Sequence, residues 1–210
     1  MGEAIAAAEA AGVDALHLDV MDGQFVPAIS FGMLLVREIR AKTSLPLDVH
    51  LMVAKPGNFL DELSAIGVRG VTVHLEAFDR RPGGSNELGE ALRTIRGAGM
   101  RAGIALKPGT PDTVLDGFEA DIDDVLVMTV EPGASGQSFR WDQIQKIRRV
   151  SARARFHGIL VAVDGGINPE TGEACVIAGA DYLVVGSALF SGGLEDLGLA
   201  VSRIRGTDRT

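Results

Sequence analysis

The stretch His17-Leu18-Asp19-Val20-Met21-Asp22-Gly23 emerges from Val13-Asp14-Ala15-Leu16, a short run behind a glycine turn at Gly12. It reads as a β-strand over 14–20 that ends in a second glycine turn. Alternation along a strand sets His17, Asp19 and Met21 on one face, with Leu18 and Val20 on the other. Apolar residues alone would serve a strand that only fills a core. An imidazole and a carboxylate two residues apart on one face form half of a metal site.

Outward from this stretch, one unit recurs. Ahead of it, the Ala/Glu-rich segment 2–11 reads as an amphipathic helix with Gly12 at its end. Behind it come a loop, GQFVPAIS, and a helical period over 31–43 with basic residues toward its end. Strands are then expected in LPLDVHLMV (45–53), GVTVHLE (70–76), MRAGIAL (100–106), DDVLVMTV (123–130), GILVAVD (158–164) and ADYLVVG (180–186). Helices are expected between and after them over 58–66, 87–97, 111–119, 141–154, 169–178 and 194–205, with Pro169 suited to a first helical position.

Strands that alternate with helices, each a nearly continuous apolar run, predict a parallel sheet covered by helices. The residues with chemistry follow the strands and never the helices, as in a (β/α) barrel whose active site lies at the C-terminal face. A doubly wound open sheet is the competitor, but no Gly-x-Gly-x-x-Gly follows the first strand. Seven strands are found and the chain opens on a helix. The expected fold is therefore an α/β chain forming one domain over 1–210, a (β/α)8 barrel that lacks its first strand. Such an arc leaves unpaired backbone on the strands at 14–20 and 182–186, an edge prone to association.

A chain of 210 residues suits one domain with a sizeable core. Its net charge of −8 carries no nucleic-acid footprint, and no run is long enough to span a membrane. The N-terminus lacks a secretory signature, so a cytoplasmic location is expected. The lone Cys175 cannot form an internal disulfide and reads as a buried, reduced thiol.

Three of the four histidines, His17, His50 and His74, lie near the C-terminal ends of strands. Asp48, His50 and Met52 share a strand face, and Asp164 ends the strand in VAVDGG. On one barrel rim, His17, Asp19, His50 and Asp164 make a two-nitrogen, two-oxygen set suited to Zn²⁺ and nearly as well to Fe²⁺, Mn²⁺ or Co²⁺. Asp19 and Asp164 come from distant strands and can face each other across a substrate. Such a pair can take a proton from one side of a carbon and return one on the other, without a redox cofactor. The turns at 132–137 (PGASGQ), 165–168 (GGIN) and 186–187 (GS) let backbone amides approach an anion, as the last loops of barrels do for phosphate. Met21, Met52 and Met128 fall near strand ends, where core filling and the exclusion of water from a flat intermediate are both open readings.

In order along the chain, HLDVMDGQFVP, LDVHLMV, VTVHLEA, ALKPGTP, VLVMTVEPGASGQSF, VDGGIN and GADYLVVGSALF closely resemble the ribulose-phosphate 3-epimerase family. The resemblance covers essentially the whole chain. It implies a ribulose-phosphate-binding (β/α)8 barrel that interconverts D-ribulose 5-phosphate and D-xylulose 5-phosphate through a cis-enediolate, with one divalent metal ion per subunit. By position, His17, Asp19, His50 and Asp164 match the family's metal ligands, and Asp19 and Asp164 its proton acceptor and donor. His50, Gly133, Ala134, Ser135, Gly136, Gly165, Gly166, Gly186 and Ser187 match its substrate and phosphate contacts, and Met21, Met52 and Met128 the methionines near the reacting carbon. The implied partner is a small sugar phosphate, and family members are commonly homo-oligomers. Epimerisation of a related ketose phosphate such as D-allulose 6-phosphate, and a truncated non-catalytic sugar-phosphate-binding barrel, are the alternatives. The chain departs from the family in starting after a PSILSAD-type strand, in Ser135 for a glycine, in Gln24 and Ala28 for His and Asn, and in a longer loop at 78–86.

Overall fold

Every strand of the computed structural model pairs in parallel with its sequence neighbours, and the description covers residues 1–78, 86–134 and 136–207. The chain runs α1 (Gly2–Ala10), β1 (Leu16–Met21), α2 (Met33–Arg40), β2 (Leu47–Met52), α3 (Leu60–Ile66), β3 (Gly70–His74), α4 (Glu87–Gly97) and β4 (Arg101–Leu106). It continues through β5 (Asp124–Met128), α5 (Gln143–His157), β6 (Leu160–Asp164), α6 (Pro169–Ala178), β7 (Tyr182–Val184), α7 (Ser187–Phe190) and α8 (Leu197–Arg205). Seven strands in the order β1 to β7 curl with helices outside them, a (β/α) barrel lacking one strand. Among the described residues, β1 and β7 do not pair with each other.

The main core lies between sheet and helices. Val49, Leu51, Val71, Val73, Ile104, Val127 and Val163 point outward from the strands and meet Val36, Leu63, Leu92, Ile95, Ile147 and Cys175 from the helices, all essentially without exposure. This is why the strands read as continuous apolar runs: both faces are covered. The inner face carries a smaller cluster of Ala105, Leu126 and Met128, with Ala162 and Val184 beside it. Below it is a polar floor, where Arg69 donates to Asp48 and to the hydroxyl of Tyr182 (2.8 Å) and Arg101 donates to Asp124 (2.6 and 3.0 Å). Arg69 thereby ties the short β7 to β2 across the interior.

The helical layer spans the gap that the sheet leaves. Helix α8 packs against α6 and α1, and Arg205 at its end donates to Gly12 O (3.0 Å) and Asp14 (2.6 Å), at the entry to β1. No helix among the described residues is long and apolar enough to cross a membrane.

Some expected boundaries shift. The helix expected over 111–119 is only a 3-10 turn at Asp112–Leu115, because Gly117 in the left-handed region interrupts it and the Asp112 carboxylate is held by Arg149. The loop after β7 forms the helical turn α7, and the last helix starts at Leu197 rather than 194, beyond the left-handed Gly193. The helix expected over 141–154 extends to His157, where Gly158 ends it. Pro169 opens α6 behind an Asn168–Thr171 capping box. The departures at Ser135 and at 79–85 within the longer loop lie outside the described residues.

Candidate active site

The sheet register builds the site. It places Asp19 beside His50 and Met128 beside Asp164, so one carboxylate sits on each of two strands that are remote in sequence. His17 lies two residues below Asp19 on the same inner face, while Leu18 and Val20 are buried outward, as alternation requires. One donor atom from each of His17, Asp19, His50 and Asp164 lies within 4.8 Å of all the others.

Asp19 is the hub. Its Oδ1 is 3.0 Å from His50 Nδ1 and 3.4 Å from His17 Nε2. His50 is fully buried, and its other ring nitrogen, Nε2, is 2.9 Å from His74 Nε2. Among the described residues, His17 Nε2 is buried without a hydrogen-bond partner, a state that costs free energy unless a ligand supplies the contact. Two imidazole nitrogens, one of them the orphaned His17 Nε2, and two carboxylates fit a divalent transition ion.

The electrostatics separate the two carboxyls. Burial raises the Asp164 pKa to about 6, and the Asp19 charge adds to this against the pull of His17. For Asp19, burial acts upward too, but its contacts with the His17 and His50 rings outweigh it and hold the carboxyl well below its ordinary range. Burial lowers His50 to about 4, with the neighbouring His74 and His17 adding to the effect against the Asp19 contact. His17 moves upward: burial opposes its charge, yet Asp19, Asp164 and Asp48 together prevail. One carboxyl thus favours the ionised state and the other the neutral state, the division of roles that acid–base pairs need.

A cavity of about 620 Å³ opens over these groups. Its walls include Met21, Met52 and Met128, the described loop residues Gly133, Ala134 and Gly136, and Gly165, Gly166, Gly186 and Ser187, and it continues down the gap between β7 and β1. Thus all the expected site residues except His50 and Ser135 line one space: His50 lies buried behind Asp19, and Ser135 lies outside the described residues. Two glycines are required by their surroundings. Gly165 (φ 116°) would bring a Cβ to 2.5 Å from Val130, and Gly166 (φ 63°) to 2.9 Å from the Phe139 backbone. A Cβ at Gly136 or Gly186 would meet nothing within 4 Å, which leaves the backbone there accessible from the cavity.

Behind the site lie residues that the sequence reading left without a role. Ser30 donates to Asp19 O (2.6 Å) and accepts from Met21 N (3.0 Å), locking the end of β1. Asp22 accepts from Gln24 N, Phe25 N and Ala54 N, which joins the loops after β1 and β2. Thr129 binds the carbonyl of Asp164 through both its N–H (2.8 Å) and its hydroxyl (2.9 Å). His74, in sequence a strand-end histidine, is fully buried behind His50, and the half-buried Glu76 joins it from the turn after β3. The signal for both was available in VTVHLE, where His74 and Glu76 stand two residues apart, as His17 and Asp19 do.

Comparison with known proteins bears on the fold and on the family. The tryptophan synthase α-subunit of Pyrococcus furiosus superposes with a TM-score of 0.69 at 22% identity, covering 98% of this chain and 91% of that one, a likeness of fold. Ribulose-phosphate 3-epimerase of Bacillus subtilis is 40% identical over 210 residues, 99% of this chain and 93% of that protein. The Mycobacterium tuberculosis enzyme of the same name is 43% identical over 202 residues (95% and 84%), and the cytoplasmic isoform of rice 37% over 197 residues (92% and 82%). The model of the ribulose-phosphate 3-epimerase family matches residues 1–190, and with these relatives it shows that the chain is an epimerase belonging to that family.

Proposed function

We propose that this chain interconverts D-ribulose 5-phosphate and D-xylulose 5-phosphate, with Asp19 and Asp164 exchanging the proton at C3 from opposite faces. The observation that carries this reading is the pair itself. Two carboxyls on β1 and β6 border one cavity, one held ionised and the other pushed to about 6. Starting from the ribulose isomer, the ionised Asp19 accepts the C3 proton, and Asp164 in its protonated form delivers one to the other face of the planar enediolate. In the reverse direction the roles exchange.

His17, Asp19, His50 and Asp164 would hold one divalent cation, with Zn²⁺ or Fe²⁺ the best matches to this donor set and Mn²⁺ or Co²⁺ next. When bound, such an ion supplies positive charge where the enediolate oxygens develop theirs. Gly133, Ala134, Ser135, Gly136, Gly165, Gly166, Gly186 and Ser187 are assigned to the sugar phosphate, with backbone amides as the donors that an anion needs in a chain of net charge −8. Met21, Met52 and Met128 are apolar walls that keep water from the flat intermediate.

The test is NMR of D-ribulose 5-phosphate in D₂O with the Zn²⁺- or Fe²⁺-loaded chain, repeated after chelation. Metal-dependent entry of deuterium at C3 together with the appearance of xylulose 5-phosphate is the expected result. A folded, metal-loaded chain that exchanges no C3 proton would overturn the assignment.

A further inference from the structure

We infer that Glu76 and His74 are positioning residues that orient the His50 ring for a cation, an inference that rests on the metal reading above. The two side chains continue a line from the site along the C-terminal ends of β1, β2 and β3: Asp19 Oδ1 to His50 Nδ1 (3.0 Å), His50 Nε2 to His74 Nε2 (2.9 Å), and His74 Nδ1 to Glu76 Oε2 (3.1 Å). Both histidine side chains have no exposure. The far end is anchored, because Glu76 Oε1 accepts from Lys107 N (3.0 Å) and from the Thr110 hydroxyl.

The protons along this line can be counted. Three contacts need three protons, and two neutral imidazoles supply only two N–H groups. One contact is therefore left with two facing acceptors. Glu76 is the more enclosed carboxylate, with a side chain 20% exposed against 40% for Asp19, so an unpaired Glu76 oxygen is the costlier arrangement and water can serve Asp19 instead. His74 accordingly donates from Nδ1 to Glu76 and accepts at Nε2 from His50. That leaves the bare lone pair of His50 Nδ1 pointing at Asp19, beside the orphaned His17 Nε2. A cation at that point, and not a third proton, completes the line. Outer partners of ligating histidines fix tautomers in this way, and their loss weakens metal binding by about 10–100-fold.

Glu76→Gln is the informative variant because it keeps the shape and reverses the polarity. Lys107 N and Thr110 hold the amide oxygen at the Oε1 position, so the NH₂ group faces His74 Nδ1 and donates to it. The line then inverts: His74 donates from Nε2, and His50 carries its proton on Nδ1, toward Asp19. Two measurements follow. In the metal-free wild-type chain, ¹⁵N spectra should show His50 protonated at Nε2 and His74 at Nδ1, and a His50 protonated at Nδ1 overturns the inference without any variant. Titration with Zn²⁺ should give Kd for Glu76→Gln about 10–100-fold above wild type, with the His50 proton moved to Nδ1; an unchanged Kd overturns it. A wild-type chain that binds no Zn²⁺ would instead count against the metal reading itself, while the tautomer spectra still decide the inference.

Discussion

Strands β2 to β5 and strands β7 and β1 are written in much the same apolar alphabet, yet they end in different surroundings. Each of β2 to β5 has a paired neighbour on both sides, and their residues are buried almost without interruption. All of β7 is only half-buried, and β1 alternates between buried and half-buried positions. The difference lies in the neighbour and not in the residue type. Val184 on β7 is as apolar as Val127 on β5, but β7 faces a cavity where β5 faces a strand. The site straddles this divide. His50, His74 and Glu76 belong to the closed side, whereas Asp19 and Asp164 lie on β1 and β6, toward the gap. The residues assigned to proton transfer thus stand where solvent and substrate can reach, and the His50 and His74 side chains behind them have no exposure.

The comparison can be broken in three ways. The largest effect is expected from Asp164→Asn, which should lower kcat by at least about 10²-fold. The midpoint of unfolding of the metal-free chain at neutral pH should not fall below wild type, because the amide removes a carboxyl whose ionised form burial disfavours. Steady-state kinetics and a thermal melt together check it, and more than a few per cent of wild-type kcat would remove Asp164 from the acid–base pair. Next in size, Leu92→Ala on α4, fully buried on the closed side, should cost about 2–5 kcal/mol, and Leu183→Ala on β7 less than about 2. Urea unfolding of both variants decides, and equal losses would mean that the open side is packed as firmly as the closed one.

The smallest effect is one of pH. The Asp164 carboxyl is raised from 3.8 to about 6, so its favourable contribution to the metal-free fold is complete below pH 3.8 and lost as the pH rises through about 6. Wild type minus Asp164→Asn should therefore show stability falling across that window. Zn²⁺ affinity should change in the opposite direction, dropping by up to about tenfold per unit below pH 6, because a protonated Asp164 is a weaker ligand than the carboxylate. Affinity that is flat from pH 5 to 7 would contradict the raised Asp164.

Much of this architecture was legible along the chain. Continuous apolar runs between helical periods announced a covered parallel sheet, and the glycine turns after the strands pointed to the rim on which the candidate site lies. His17 and Asp19 could be put on one face because a strand has a period of two, whatever it pairs with. Boundaries failed where a turn competed with a helix, as at Asp112–Leu115, where the carboxylate of Asp112 turns to Arg149 from α5. Such a partner is 37 residues away and leaves no local mark.

By itself, then, the sequence determined the elements, their order, the faces of the strands and the family motifs, all of which follow from local periodicity and residue chemistry. Only the tertiary structure decided which atoms meet. The register set Asp19 against His50, burial pushed Asp164 and Asp19 in opposite directions, and curling of the sheet brought β1 and β6 around one cavity. The line from Asp19 through His50 and His74 to Glu76 is of the same kind. A hydrogen bond acts over about 3 Å, and no spacing along a chain states which residues a fold brings within that distance.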